Sequence, residues 1–159
     1  MQMSLKSFRN RARYNVLTPV FLLGVGLAAV PALAANPTYD VVIPVDGNLT
    51  NSQTIYNDVT SFAVTSDGDV DFITNLASGV IQSNGSIAVD VNGSINSLTN
   101  NGAIVGDANA IIIDGDVGSF VNTGRINADT TAVFIGGDVG SFSNSGRITS
   151  GSYAVYLDG

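Results

Sequence analysis

The chain has 159 residues, of which 45% are hydrophobic and only 12% charged, and it contains neither histidine nor cysteine. That composition excludes disulfide staples, zinc sites of the usual Cys/His type and ordinary Ser or Cys catalytic triads, and the length allows one domain. All thirteen acidic residues are Asp at or beyond Asp40, so past residue 34 they face only Arg125 and Arg147, and the net charge there is −11. Such a surface repels nucleic acid and anionic lipid. It suits a cation, a basic surface or a neutral glycan, or it merely keeps a β-rich exported chain soluble.

The first element in chain order is an address. Residues 1–15 carry Lys6, Arg9, Arg11 and Arg13 and no acid, and an apolar run follows from Val16 to Val30. Pro31-Ala32-Leu33-Ala34 comes next, with Ala35 after it. A basic segment, an apolar core and an Ala-x-Ala site form a secretory signal peptide, cleaved between Ala34 and Ala35. The competing reading, an uncleaved anchor, needs roughly 20 apolar residues; this run is shorter and contains Pro19.

Residues 35–72 are expected to form an N-terminal cap with the first strands, at Asp40–Val45 and near Phe62–Val64. Its end, Asp67-Gly68-Asp69-Val70-Asp71, places three carboxylates at alternate positions like the start of a calcium loop. Phe72 stands where that loop needs Gly, and Ser78 where it needs a bidentate Glu. Asp67, Asp69 and Asp71 are therefore weak metal candidates, and an acidic turn is the simpler reading.

From residue 73 to 159 a repeat dominates. Residues 115–126 read GDVGSFVNTGRI and residues 137–148 read GDVGSFSNSGRI, an offset of 22; residues 93–104, GSINSLTNNGAI, keep the apolar pattern. Five apolar columns run through these coils: Ile95, Val117 and Val139; Leu98, Phe120 and Phe142; Ile104, Ile126 and Ile148; Ile111, Val133 and Val155; Ile113, Ile135 and Leu157. An earlier coil is read as contributing Ile73, Leu76, Ile81, Val89 and Val91, with a one-residue deletion in a turn offset by an insertion before Ile87.

A period in this range marks a solenoid. Short β-branched runs separated by Gly, Asn and Asp give two or three strands per coil, not helices. The Leu signature of leucine-rich repeats is missing. The expected fold is all-β: a parallel β-helix solenoid of about 22-residue coils.

The polar columns carry structural readings too. Gly102, Gly124 and Gly146 align, as do Gly93, Gly115 and Gly137; glycine there implies corners needing positive φ. Asn100, Asn122 and Asn144 align and can form a hydrogen-bonded ladder along the axis; a ligand-binding row is the alternative. Arg125 and Arg147 share a column that should face solvent.

Chemistry has few places to reside. The exported part has no Lys and no Glu. Stacked Asp residues such as Asp116 and Asp138 could in principle hydrolyse a glycosidic bond, but they follow from the repeat, whereas an active site breaks it. No catalytic residue and no cofactor is expected.

The signal peptide, the cysteine-free solenoid and coils such as GDVGSFVNTGRI followed by AVFIGG resemble the passenger regions of bacterial autotransporters, over residues 1–34 and about 73–159. The resemblance implies a right-handed β-helix carried through the outer membrane by a C-terminal barrel, and a location at the cell surface or outside the cell. It transfers no binding or catalytic residue. No barrel-like series of alternating strands is present, and Gly159 aligns with Gly137 at a repeat boundary. The expectation is a fragment or truncated product of a longer protein with more coils and a barrel. As a passenger the chain would be a non-catalytic adhesin or spacer, with a host or cell-surface glycan or protein as ligand. The alternatives are a secreted glycan-active β-helix enzyme and a calcium-stabilised secreted repeat protein.

Overall fold

The computed structural model describes residues 41–58 and 62–159. The expected signal peptide, its expected cleavage point at Ala34 and Ala35, and Asp40 lie outside the described residues.

The chain winds as a solenoid. Its first turn comprises β1 (Val41–Val42), β2 (Gly47–Asn51) and β3 (Thr54–Asn57), and the second β4 (Phe62–Ser66), β5 (Val70–Asn75) and β6 (Val80–Ser83). The third holds β7 (Ile87–Val91), β8 (Ile95–Asn100) and β9 (Ala103–Gly106), and the fourth β10 (Asn109–Ile113), β11 (Val117–Asn122) and β12 (Arg125–Asn127). The fifth holds β13 (Thr131–Ile135), β14 (Phe142–Asn144) and β15 (Arg147–Thr149), and β16 (Tyr153–Leu157) begins another.

Each turn gives one strand to each of three sheets. The first sheet runs β1-β4-β7-β10-β13-β16, the second β2-β5-β8-β11-β14 and the third β3-β6-β9-β12-β15. All strand pairs are parallel. Parallel pairing between neighbouring turns follows from the winding itself, since every strand recurs in the same direction about one strand spacing (4.7–4.9 Å) further along. Of residues 35–72, read from the sequence as a cap with first strands, the described residues 41–58 and 62–72 lie in these turns.

The core is the stack of inward columns. One runs Leu49, Ile73, Leu98, Phe120, Phe142 through the second sheet. Another runs Ile55, Ile81, Ile104, Ile126, Ile148 through the third. Val64, Val89, Ile111 and Val133 line the first sheet, all fully buried. Phe120 and Phe142 stack with centroids 4.7 Å apart, one strand spacing. Ala63, Ala88, Ala110 and Ala132 precede that valine–isoleucine column and are also fully buried. Two consecutive buried residues break the alternation of a strand, so the chain bends there around a side chain no larger than a methyl group. That column escaped the sequence reading.

One sequence assignment is corrected. Ile73 pairs with Leu98, not with Ile95, and Val70 takes the place opposite Ile95. Leu76, assigned to the core, is 38% exposed in the turn before β6. The earlier coil is longer, not shorter: Ile73 to Ile81 spans eight positions where Leu98 to Ile104 spans six. An apolar residue in that enlarged turn mimicked a core position at the 22-residue offset. The placements of Ile81, Val89 and Val91 stand, through their pairing with Ile104, Ile111 and Ile113.

Candidate functional site

The turn between the second and third sheets contains the expected asparagine ladder, and it is longer than the sequence showed. Asn51 Nδ2 donates to Asn75 Oδ1 (2.9 Å), Asn75 to Asn100 (2.8 Å), Asn100 to Asn122 (2.8 Å) and Asn122 to Asn144 (2.7 Å). Asn75, Asn100 and Asn122 are fully buried. Each amide also reaches backbone of its own turn or the next: Asn75 Nδ2 to the Gly79 and Ala103 carbonyls, and Asn100 Nδ2 to those of Gly102 and Arg125. Asn51 and Asn75 lie 24 residues apart, so a search at fixed period misses them. Their donors and acceptors are spent inside the turn, which leaves no ligand-binding row there.

The glycine beside this ladder is needed for another reason than the one inferred from sequence. None of Gly102, Gly124 and Gly146 has a left-handed φ. A Cβ on Gly124 would instead drive into the Gly102 carbonyl oxygen, and one on Gly146 into that of Gly124. The column is glycine because the backbones of successive turns pass too closely for a side chain. The same holds for Gly115, whose Cβ would lie 2.5 Å from Ser94 Oγ and 2.8 Å from the Gly93 carbonyl carbon.

A second ladder runs along the turn between the first and second sheets. Asp69 Oδ1 accepts from the Ser94 amide (2.8 Å), Ser94 Oγ from the Asp116 amide (3.1 Å), and Asp116 Oδ1 from the Asp138 amide (2.9 Å). Of the stacked pair, the Asp116 carboxylate thus serves coil-to-coil bonding, accepting from the Asp138 backbone. Of the three weak metal candidates, Asp69 belongs to this ladder and Asp71 Oδ1 accepts from Asn96 Nδ2 (3.1 Å). Asp67, also exposed, lies in the turn itself. Among the described residues no group of three carboxylates is placed to hold a metal ion.

Asp90 was not singled out by sequence. It lies in β7 between Thr65 and Ile112 and is only 8% exposed. Burial pushes its carboxyl above the ordinary carboxylate range, and the like charges of Asp114 and Asp67 push in the same direction. The hidden signal was register, which sets Thr65 on one neighbouring strand and Ile112 on the other beside this short acid.

The outer face of the third sheet differs from the rest. At its start, Tyr56 donates to Asp58 Oδ1 (3.0 Å) and accepts from Asn84 Nδ2 (2.7 Å), which Gln82 Nε2 meets at the Asn84 Oδ1 (2.9 Å). At its far end Arg125 and Arg147 are register partners, both exposed, as the sequence implied. Beside them Thr149 Oγ1 donates to Asn127 Oδ1 (3.0 Å). A small cavity of about 30 Å³ at the first turn, lined by Val41, Leu49, Asn51 and Ile55 among others, has room for little more than water. No protein-family model matches the chain, and no curated protein and no solved structure matches it either.

Proposed function

We propose that this chain is a non-catalytic passenger of the autotransporter type, exported by residues 1–34 and acting at the cell surface as an adhesin or spacer. The observation that carries the reading is how the polar columns are used. The asparagine ladder and the Asp/Ser ladder join successive turns, and the apolar columns continue between them. The side chains of Asp69, Ser94 and Asp116, and the asparagines of the ladder, are spent on joining one turn to the next. A rod built that way holds a surface away from its anchor at low cost in sequence complexity.

The test is export. The full chain is fused ahead of an outer-membrane translocator barrel in a bacterial host, and intact cells are treated with protease. The expected result is a protease-accessible chain on the cell surface whose mass spectrum starts at Ala35. Retention inside the cell with residues 1–34 intact would sink the proposal.

A further inference from the structure

The cations of this protein are segregated from its acids. Among the described residues the acids lie in the turns, save Asp71 in β5 and Asp90 in β7, and no strand of the third sheet carries one. That sheet alone carries Arg125 and Arg147, in β12 and β15. They sit opposite each other in register, exposed, and neither forms an ion pair among the described residues. Like charges directly opposite one another on a sheet are destabilising. The same column in the first three turns holds Thr54, Val80 and Ala103, so the winding does not demand arginine there. Two guanidinium groups are thus kept at a cost to the fold with no partner among the described residues.

Their neighbours sharpen the chemistry. Asn127 and Thr149 follow two residues along each strand and share the outer face. Because Thr149 Oγ1 donates to Asn127 Oδ1, the Asn127 amide nitrogen is turned away from that bond, with no partner among the described residues. The patch therefore offers two guanidinium forks and one amide as donors, with the Thr149 oxygen as acceptor.

We propose that Arg125, Arg147, Asn127 and Thr149 form a recognition site for a carboxylated sugar. This rests on the surface-passenger reading and names its ligand class. A single guanidinium fork matches the two oxygens of a carboxylate in bidentate fashion, and the second adds charge beside it. Asn127 and Thr149 match ring hydroxyl groups, which both accept and donate. The turn after the third sheet carries Asp58, Asp107 and Asp129, whereas the turn before it carries no acid. The acidic side repels a densely charged polyanion and admits a ligand bearing an isolated carboxylate.

The full chain, labelled with nitrogen-15, is titrated with glucuronate, with glucose and with sodium sulfate, following the Arg Nε and Asn side-chain signals. The expected result is saturable shifts at Arg125, Arg147 and Asn127 with glucuronate, and at least tenfold weaker response to glucose and sulfate. The double variant Arg125→Gln/Arg147→Gln should lose the response while melting no lower than the parent, because it removes a like-charge contact. Three outcomes would overturn the site: no shifts at these residues, glucose or sulfate acting as strongly as glucuronate, or a lowered melting temperature that assigns the arginines to the fold. None of them bears on whether the chain reaches the cell surface, so the two proposals fail separately.

Discussion

Asn100 gives the clearest view of what one side chain does here. It accepts from Asn75 and donates to Asn122 while fully buried. Truncation leaves the Asn122 oxygen without its donor, while Asn75 Nδ2 keeps the Gly79 and Ala103 carbonyls, and a buried orphan costs about 1–3 kcal/mol. Asn100→Ala should therefore lower stability by roughly 1–3 kcal/mol in denaturant unfolding. Asn144→Ala, at an exposed rung, should cost about 1 kcal/mol or less. Equal losses at the two positions would show that the ladder contributes nothing beyond local packing.

Asp90 acts in the opposite direction. Its folded-state pKa is raised above the unfolded value, so ionisation is resisted in the folded state and not in the unfolded one. The penalty is absent below the unfolded pKa, grows as pH rises through the folded pKa, and is fully present at neutral pH. Asp90→Asn should then stabilise the protein at pH 7, by about 0.5–2 kcal/mol as for other relieved charges. The gain should vanish near pH 3. Melting curves of both forms across that range decide it; a variant less stable at pH 7 would contradict the account.

At the scale of the turn, glycine is a spacing device. If Gly124 were required for a left-handed backbone, Asn would be the mildest replacement, because Asn tolerates that region. With the Gly102 carbonyl in the way, size decides instead. Gly124→Ala should cost about 1–3 kcal/mol, as overpacking does, and Gly124→Asn at least as much. A milder Asn variant, measured by thermal melting, would restore the φ explanation.

The turns also explain which parts of the fold were legible in the sequence. From Ile95 onward the turn lengths are constant, and the five apolar columns, the ladder at Asn100, Asn122 and Asn144, and the outward arginines could all be read at one offset. Before that, turns differ in length, so Ile55 pairs with Ile81 and Ile81 with Ile104 at unequal spacings. A fixed period then mistook Leu76 for core and hid Asn51 and Asn75. Close backbone approach, the reason for the glycine columns, is a relation between turns and leaves no mark on composition. Asp90 and the Asp69–Ser94–Asp116 ladder were illegible for the same reason: their partners are set by register.

For the molecule as a whole, stability is a sum of turns and of interfaces between them. Removing residues 115–136 deletes one complete 22-residue unit and brings Asp114 next to Gly137, which already aligns with Gly115. Every column and both ladders close again. That deletion should leave a cooperative β-sheet circular dichroism spectrum and a lower melting temperature. Removing only residues 115–125 places the second sheet of one turn over the third of the next, and it should abolish cooperative melting. If both deletions behave alike, the turns are not independent units.

The asparagine ladder has one more consequence, electrical in kind. Every rung from Asn51 to Asn122 donates toward the C-terminal end of the stack, and every rung from Asn75 to Asn144 accepts from the N-terminal side. The amide dipoles therefore add head to tail, and each polarises the next. The rod has a sense of direction written into its interior: a row of carbonyl oxygens looks back to its origin and a row of N–H groups looks ahead. A turn added at the C-terminal end meets an N–H already in place, and a turn added at the N-terminal end meets an oxygen. Either end of the rod is thus a ready template for the next turn, and the two ends are chemically distinct.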